Sequence, residues 1–367
     1  MQRVLVADAK YEAIDGALDR VFEEFPLEVS GKTVLLKPNM LGCYVPESHV
    51  NTSPELVKAL VERFRSAGGE VIVADNPGAR GYGLVEKSGE VSGLSEAAMG
   101  AFKNISLEVE AVELPHSGVT VNVSRIVRQA DVLVSVPKFK THTLTGISGA
   151  IKNSFGFVVG GDKARMHREL GTYRDFSRML VGVYQLRVPD LVIMDGVVGM
   201  EGNGPSGKDL YPVGKVLASD NGVALDAVMA RMMGMRPEKI EMLEFARAMG
   251  LGETDISRIE VVGNGEPLSK FRRPMSTIPR LIPGALMERF YPDLDRPRFD
   301  IDPDACNSCR NCADICPGGA IAMEDGRPSY DYSKCISCYC CMELCPRQAI
   351  ELHDSFRVRV YRRLGIL

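Results

Sequence analysis

Over the first 263 residues, short apolar runs rich in β-branched side chains alternate with longer segments whose apolar positions recur at helical spacing. The runs Val4 to Ala7, Thr33 to Leu36, Glu70 to Ala74, Val109 to Leu114, Asp131 to Val136, Asp190 to Met194, Gly214 to Ala218 and Ile259 to Val262 are bounded by turn residues. Several are continuous, as strands buried on both faces are. Pro54 to Ala67, Tyr173 to Leu186, Gly222 to Met233 and Pro237 to Met249 read as helices. The first opens on Thr52-Ser53-Pro54-Glu55, a cap with proline in the first turn. The alternation predicts an α/β domain over 1–263, with a mainly parallel sheet and flanking helices.

Residues 264–299 break this pattern. Prolines at 267, 274, 279, 283, 292 and 297 predict a connector that wraps the surface. Residues 300–352 read as a small α+β domain of bacterial ferredoxin type, and 353–367 as a basic tail in which Phe356 to Tyr361 alternates like a short strand.

The ferredoxin reading rests on cysteine spacing. Cys306-x-x-Cys309-x-x-Cys312-x-x-x-Cys316-Pro317 recurs as Cys335-x-x-Cys338-x-x-Cys341-x-x-x-Cys345-Pro346, each run followed by an Ala-Ile pair. This is the pattern of two [4Fe-4S] clusters, in which three thiolates of a loop hold one cubane and the fourth cysteine reaches across to the other. Cys306, Cys309, Cys312 and Cys345 are therefore expected to hold one cluster, and Cys335, Cys338, Cys341 and Cys316 the other. Zinc is the competing metal for C-x-x-C pairs, but eight cysteines in this order with both prolines favour clusters. Cys340 is a bystander in this scheme. Cys43, far from the others, reads as a buried free cysteine ahead of a reactive thiol.

Composition narrows the class further. Hydrophobic residues at 45% and charged residues at 25% describe a globular chain, and a formal charge of -4 argues against a globally basic nucleic-acid binder. No apolar run approaches the roughly 18 residues of a spanning helix. MQRVLVADA opens as a strand without a signal-peptide layout, so the cytoplasm is the expected compartment. Nine of the ten cysteines lie in the last fifth of the chain, a cofactor framework suited to a reducing, anaerobic setting.

Ligands of open parallel sheets sit beyond the carboxyl ends of the strands. Lys37-Pro38-Asn39, Asp75-Asn76, Lys138-Phe139-Lys140-Thr141-His142 and Asp195-Gly196 followed by Glu201 stand at such ends, with Lys152 and Asn153 one loop later. Lys138 to Arg178 carries eight basic against three acidic residues. Several cations aimed at one crevice suit an anionic ligand. Lys37 and Lys138 are candidates to stabilise negative charge and His142 to transfer a proton, with Asn39, Lys140, Lys152, Asn153, Asp195 and Glu201 binding substrate. His49 is a second histidine candidate. Asp300 to Cys345, by contrast, carries eight acidic against three basic residues. That face could meet the basic loops of this chain or receive a redox partner protein. Gly202-x-Gly204-x-x-Gly207 matches a dinucleotide fingerprint, yet Pro205 inside it and a strand behind it predict a mobile loop instead, with Gly149 to Gly161 facing it.

LLKPN with HVNTSPELVKALVE, VSVPKFKTH with GAIKNSFG, and DGVVGMEGNGP together resemble the iron-sulfur family known as domain of unknown function 362, often fused to a ferredoxin module. The resemblance spans roughly residues 1–263 and implies an α/β domain joined to a two-cluster ferredoxin. It implies no reaction. Two functions stay open: an oxidoreductase whose clusters exchange electrons with an anionic substrate or cofactor in the lysine-lined crevice, or an electron-transfer accessory protein that docks a partner enzyme.

Overall fold

Most apolar segments of the first 263 residues are consumed by one mixed sheet in the computed structural model, which describes residues 1–78, 81, 83–170, 173–207, 209–274, 298–316, 318–335, 340–343, 345–347 and 349–353. In chain order the strands are β1 (Gln2–Asp8), β2 (Thr33–Pro38), β3 (Glu70–Val73), β4 (Val109–Glu113), β5 (Thr120–Ser124) and β6 (Val132–Val136). They continue as β7 (Lys138–His142), β8 (Gly146–Ser148), β9 (Leu191–Met200), β10 (Leu210–Tyr211), β11 (Lys215–Ser219) and β12 (Ile259–Gly263). The sheet runs β12-β1-β11-β9-β6-β2-β3, with β7 and β10 pairing with the far half of β9 and β8 with β7.

The sheet is mainly parallel, as the alternation predicts: β2 runs parallel to β3 and β6, β6 and β7 to β9, and β1 to β12. β11 is the exception, antiparallel to both neighbours. β4 does not join this sheet; it pairs only with β5.

Side-chain alternation sends the two faces of each strand to two cores. Leu35, Leu133, Val192 and Met194 pack with the helices Tyr173–Leu186 and Gly222–Met232. Val34, Leu36, Val134 and Ile193 pack with the helices Ile14–Glu24 and Pro54–Ser66. Leu56, Leu60 and Phe64 lie on the buried stripe of the latter helix, and burying each stabilises by about 1.5–3 kcal/mol.

Three local expectations need correction. Lys138 to His142 is a strand, not a loop: Lys, Lys and His occupy buried positions, so the run lacks the apolar signature of a strand. β9 does not stop at Met194 but runs through Asp195 to Met200. Ser53 precedes the helix Pro54–Ser66 without capping it through its side chain, which turns to Glu55, while its N–H donates to Asp195 Oδ2 at 2.8 Å.

The C-terminal module pairs β13 (Arg298–Ile301) with β16 (Ile350–His353), and β14 (Ile321–Glu324) with β15 (Arg327–Tyr330). Residues 275–297 of the connector and the tail 354–367, including Phe356 to Tyr361, lie outside the described residues. Among those described, no helix is long and apolar enough to cross a membrane.

Candidate functional site

The candidates gather at the carboxyl ends of the central strands, but in two groups on opposite faces of the sheet. Lys37 shares its face of β2 with Leu35, toward the short helix Ala150–Asn153. Its Nζ stands 2.8 Å from Asp75 Oδ1 and donates to Asn153 Oδ1 at 3.2 Å and Pro38 O at 3.1 Å. Asn153 Nδ2 in turn donates to Ser135 Oγ at 2.9 Å and Lys37 O at 3.3 Å. Asp75 accepts Met40 N–H on its other oxygen at 2.9 Å.

Lys163, on the helix Gly160–Glu169, reaches the same centre. Its Nζ donates to the carbonyls of Asn76 at 2.5 Å and Pro77 at 3.2 Å. The Phe155 ring is shared by two lysines, with Lys152 Nζ at 5.5 Å and Lys163 Nζ at 5.6 Å from its centroid. Burial pushes Lys37 down. It pushes Lys163 down to about 7, reinforced by Lys37 and Lys152 and opposed by Asp75. The centre thus brings together Lys37, Lys152 and Lys163, with Asp75 paired to Lys37. Lys163 escaped the sequence reading because nothing in GGDKARMHRE marks its lysine as buried; the local excess of basic residues was the available signal.

The motif Gly149-Ala-Ile-Lys-Asn-Ser-Phe-Gly156 is explained by this packing. Asp226, on the helix Gly222–Met232, accepts Ala150 N–H at 2.6 Å and Ile151 N–H at 3.0 Å. A Cβ on Gly149 would stand 2.0 Å from Asp226 Oδ1. Asp226 therefore sets the start of the four-residue helix whose other end presents Lys152 and Asn153. Burial pushes the Asp226 carboxyl up to about 7, opposed by those two N–H groups.

Lys138 and Asp195 form the second group, on the face shared with Leu191 and Ile193. Lys138 Nζ lies 2.8 Å from Asp195 Oδ2 and donates to Tyr11 Oη at 2.9 Å, while Tyr11 donates to Asp195 Oδ1 at 2.9 Å. Both charged side chains are fully buried. Burial pushes Lys138 down, and burial with Asp195 pushes the Tyr11 hydroxyl up. His49 stacks on Tyr11 at 6.1 Å, and burial with Lys138 pushes its pKa down.

The remaining candidates are dispersed. Lys140 Nζ donates to Val50 O at 3.1 Å. The Asn39 N–H donates to Thr52 Oγ1 at 2.8 Å. Glu201 binds Arg272 twice, at its backbone N (2.7 Å) and its Nε (2.8 Å). The glycine loop after it is hydrogen-bonded to the residue that follows β7, since Thr143 N and Oγ1 both donate to Gly204 O at 3.0 and 2.6 Å. His142 is buried, and its Nδ1 accepts the N–H of Leu144 at 3.1 Å and of Thr145 at 3.3 Å. An accepting Nδ1 carries no proton, so the ring is held with its proton on Nε2.

In the C-terminal module, left-handed residues Ser308 (φ 59°) and Arg310 (φ 65°) curl the first cysteine loop. A recess there is lined by Cys306, Cys309, Cys312 and, from the second run, Cys345. The N–H groups of Ala320 and Ala349 donate to Cys316 Sγ at 3.2 Å and Cys345 Sγ at 3.3 Å, at equivalent positions of the two runs. The four-thiol recess fits an iron-sulfur cluster, and N–H to sulfur bonds of this kind orient cluster ligands. Cys341 is buried and Cys335 half-buried; Cys338 and the Cys340 side chain lie outside the described residues. Leu144, two residues beyond His142, packs against the apolar cluster of this module that contains Cys341 and Cys345.

Residues 34–231 match the family model described as domain of unknown function (DUF362), more than half of the chain. The chain belongs to the DUF362 family. Residues 298–346 match a 4Fe-4S dicluster domain, so this DUF362 protein carries an iron-sulfur electron-transfer module. A thylakoid-associated protein of a Synechocystis strain is 32% identical over 228 residues, 61% of this chain and 70% of that one. The lactate racemase apoprotein of Thermoanaerobacterium thermosaccharolyticum aligns with TM-score 0.38 and 13% identity, covering 62% of this chain and 56% of that chain.

Proposed function

We propose that this DUF362 protein is an iron-sulfur oxidoreductase that binds two [4Fe-4S] clusters and exchanges electrons with an anionic substrate or cofactor held at the Lys37 centre. The convergence of Lys37, Lys152 and Lys163 carries this reading. Lysine side chains gathered at the carboxyl ends of parallel strands suit an anionic ligand. Lys37 and Asn153 form the fixed floor, and half-buried Lys152 marks the side open to solvent.

Cys306, Cys309, Cys312 and Cys345 would hold one cluster, and Cys335, Cys338, Cys341 and Cys316 the other. The clusters, when bound, supply one-electron transfer. His142 offers an Nε2 proton, and Leu144 joins its hairpin to the cluster module. Lys138 and Asp195 lock β7 to β9 on the opposite face, where Ser53 N–H ties them to the helix Pro54–Ser66. The acidic surface of the module suits a basic redox partner protein.

The test is reoxidation of dithionite-reduced protein by a panel of small oxo acids, followed by visible bleaching and recovery of the clusters. At least one acid is expected to reoxidise the protein, and Lys152→Ala to slow it with cluster spectra unchanged. Equal rates in the variant and the parent would remove the reading.

A further inference from the structure

The three lysines of the centre are not equivalent. Lys37 is tied to a carboxylate, Asp75, at 2.8 Å. The hydrogen bonds of Lys163 go to two neutral carbonyls, Asn76 O and Pro77 O, at 2.5 and 3.2 Å. A neutral amine has two N–H groups and one lone pair, so two carbonyl acceptors satisfy its donors and leave the lone pair for another partner. The side chain is 3% exposed, and the ammoniums of Lys37 and Lys152 stand nearby. Both burial and like charge favour the uncharged form, which is how lysine nucleophiles are activated. In the same residue whose backbone carbonyl accepts from Lys163, the side-chain Oδ1 of Asn76 is buried without a hydrogen-bond partner among the described residues, while its Nδ2 donates to Ser124 Oγ and Gly156 O, each at 2.9 Å. That oxygen can accept from the hydroxyl of an addition intermediate.

We infer that Lys163 is a nucleophilic amine that condenses with the carbonyl of a small oxo acid whose carboxylate lies against Lys37 and Lys152. The inference rests on the anion site proposed above and names its ligand class. In the condensation Nζ adds to the carbonyl carbon, a C=N bond replaces C=O, and the carbonyl oxygen leaves as water with the two amine hydrogens. No electrons are transferred in this step. Protonation of the imine makes its carbon electron-poor, a better electron acceptor than the parent carbonyl, which suits a site served by an electron-transfer module.

The experiment traps the imine. Full-length protein with its clusters, kept anaerobic, is incubated with glyoxylate and cyanoborohydride, then digested and mapped by mass spectrometry. Reduction converts the imine to a carboxymethyl adduct. The expected result is an adduct on Lys163 formed roughly ten-fold or more faster than on exposed lysines such as Lys10 and Lys58. An unmodified Lys163, or an adduct no faster there than at the surface, overturns the assignment. Wild-type protein is the analyte, so no variant has to fold. Malonate, an anion without a carbonyl, is titrated in parallel by calorimetry against the parent and Lys152→Ala. Malonate bound by the parent but not the variant, with Lys163 unmodified, removes the nucleophile and leaves the anion site. A Lys163 adduct without malonate binding removes the anion site and leaves the nucleophile.

Discussion

Gly156 lies so close to Asp75 that a Cβ added to it would stand 1.8 Å from Asp75 Oδ1 and 2.6 Å from Lys37 Nζ. The backbone of the Gly149 to Gly156 segment is thus the wall against which the buried ion pair is held. Gly156→Ala should push Asp75 off Lys37, lowering stability by about 1–3 kcal/mol through overpacking and weakening malonate binding. Urea titration and calorimetry check both. Unchanged values would mean that the wall can retreat without disturbing the pair.

Asp226 acts on the same centre from behind, through the start of the helix Ala150–Asn153. Removing it leaves two buried N–H groups without acceptors, at about 1–3 kcal/mol each. Asp226→Ala should therefore destabilise the protein and loosen Lys152 and Asn153, so that malonate affinity falls. Asp226→Asn keeps one acceptor and should recover part of that affinity. If both variants bind as the parent does, Asp226 serves the fold alone.

Lys163 gives stability a pH dependence of defined sign. Its pKa falls from 10.5 in the unfolded chain to about 7 in the folded one. Between those values the unfolded chain binds more protons, so the lysine's contribution to stability rises with pH across this window. Below about 7 the cost of burying the ammonium is fully present; above 10.5 it is gone. Anaerobic urea titrations at pH 7, 8 and 9 should show the parent gaining more stability than Lys163→Met. Parallel slopes would contradict the neutral amine.

The pair Lys138 and Asp195 is buried on both sides, and losing one partner of such a pair costs about 3–5 kcal/mol. Lys138→Met should show a loss of that size, and adding Asp195→Leu should recover part of it. Recovery is incomplete because Ser53 N–H and Tyr11 Oη lose their acceptor. Chemical denaturation of the two variants decides; a double variant worse than the single would show that Asp195 matters chiefly through Ser53 and Tyr11.

The eight strand segments read from apolar runs all appear as strands, and those buried on both faces, such as β2 and β6, leave a near-continuous apolar signature. β7 does not, since its Lys138, Lys140 and His142 are buried through partners distant in sequence, such as Asp195 and Val50. The same limit applies to the site. Lys37, Lys152 and Asn153 were legible as polar residues near strand ends, and the structure joins them. Lys138 reads identically but is carried to the other face by the alternation of β7 and β9. Asp75 was legible at a strand end but not as the partner of Lys37, and Asp226 carries no local mark, because its partners, the Ala150 and Ile151 N–H groups, come from a distant segment. Cysteine spacing reveals more, since ligand geometry is written into the loop itself.

Cys345 lines the recess of Cys306, Cys309 and Cys312 although it closes the other cysteine run by sequence. Proposed cross-ligation makes a prediction that separate ligation does not. Cys309→Ser and Cys345→Ser should each disturb the same cluster, lowering iron from about eight to about four per chain. The double variant should then fall no further, because its second substitution strikes a cluster already lost. If each run served its own cluster, the two substitutions would act on different centres and the double variant would approach zero iron. Iron and sulfide analysis of the four proteins, purified anaerobically, separates the cases. Electron paramagnetic resonance of the reduced singles adds an independent readout: loss of one cluster should replace the spectrum of two interacting centres with that of an isolated one.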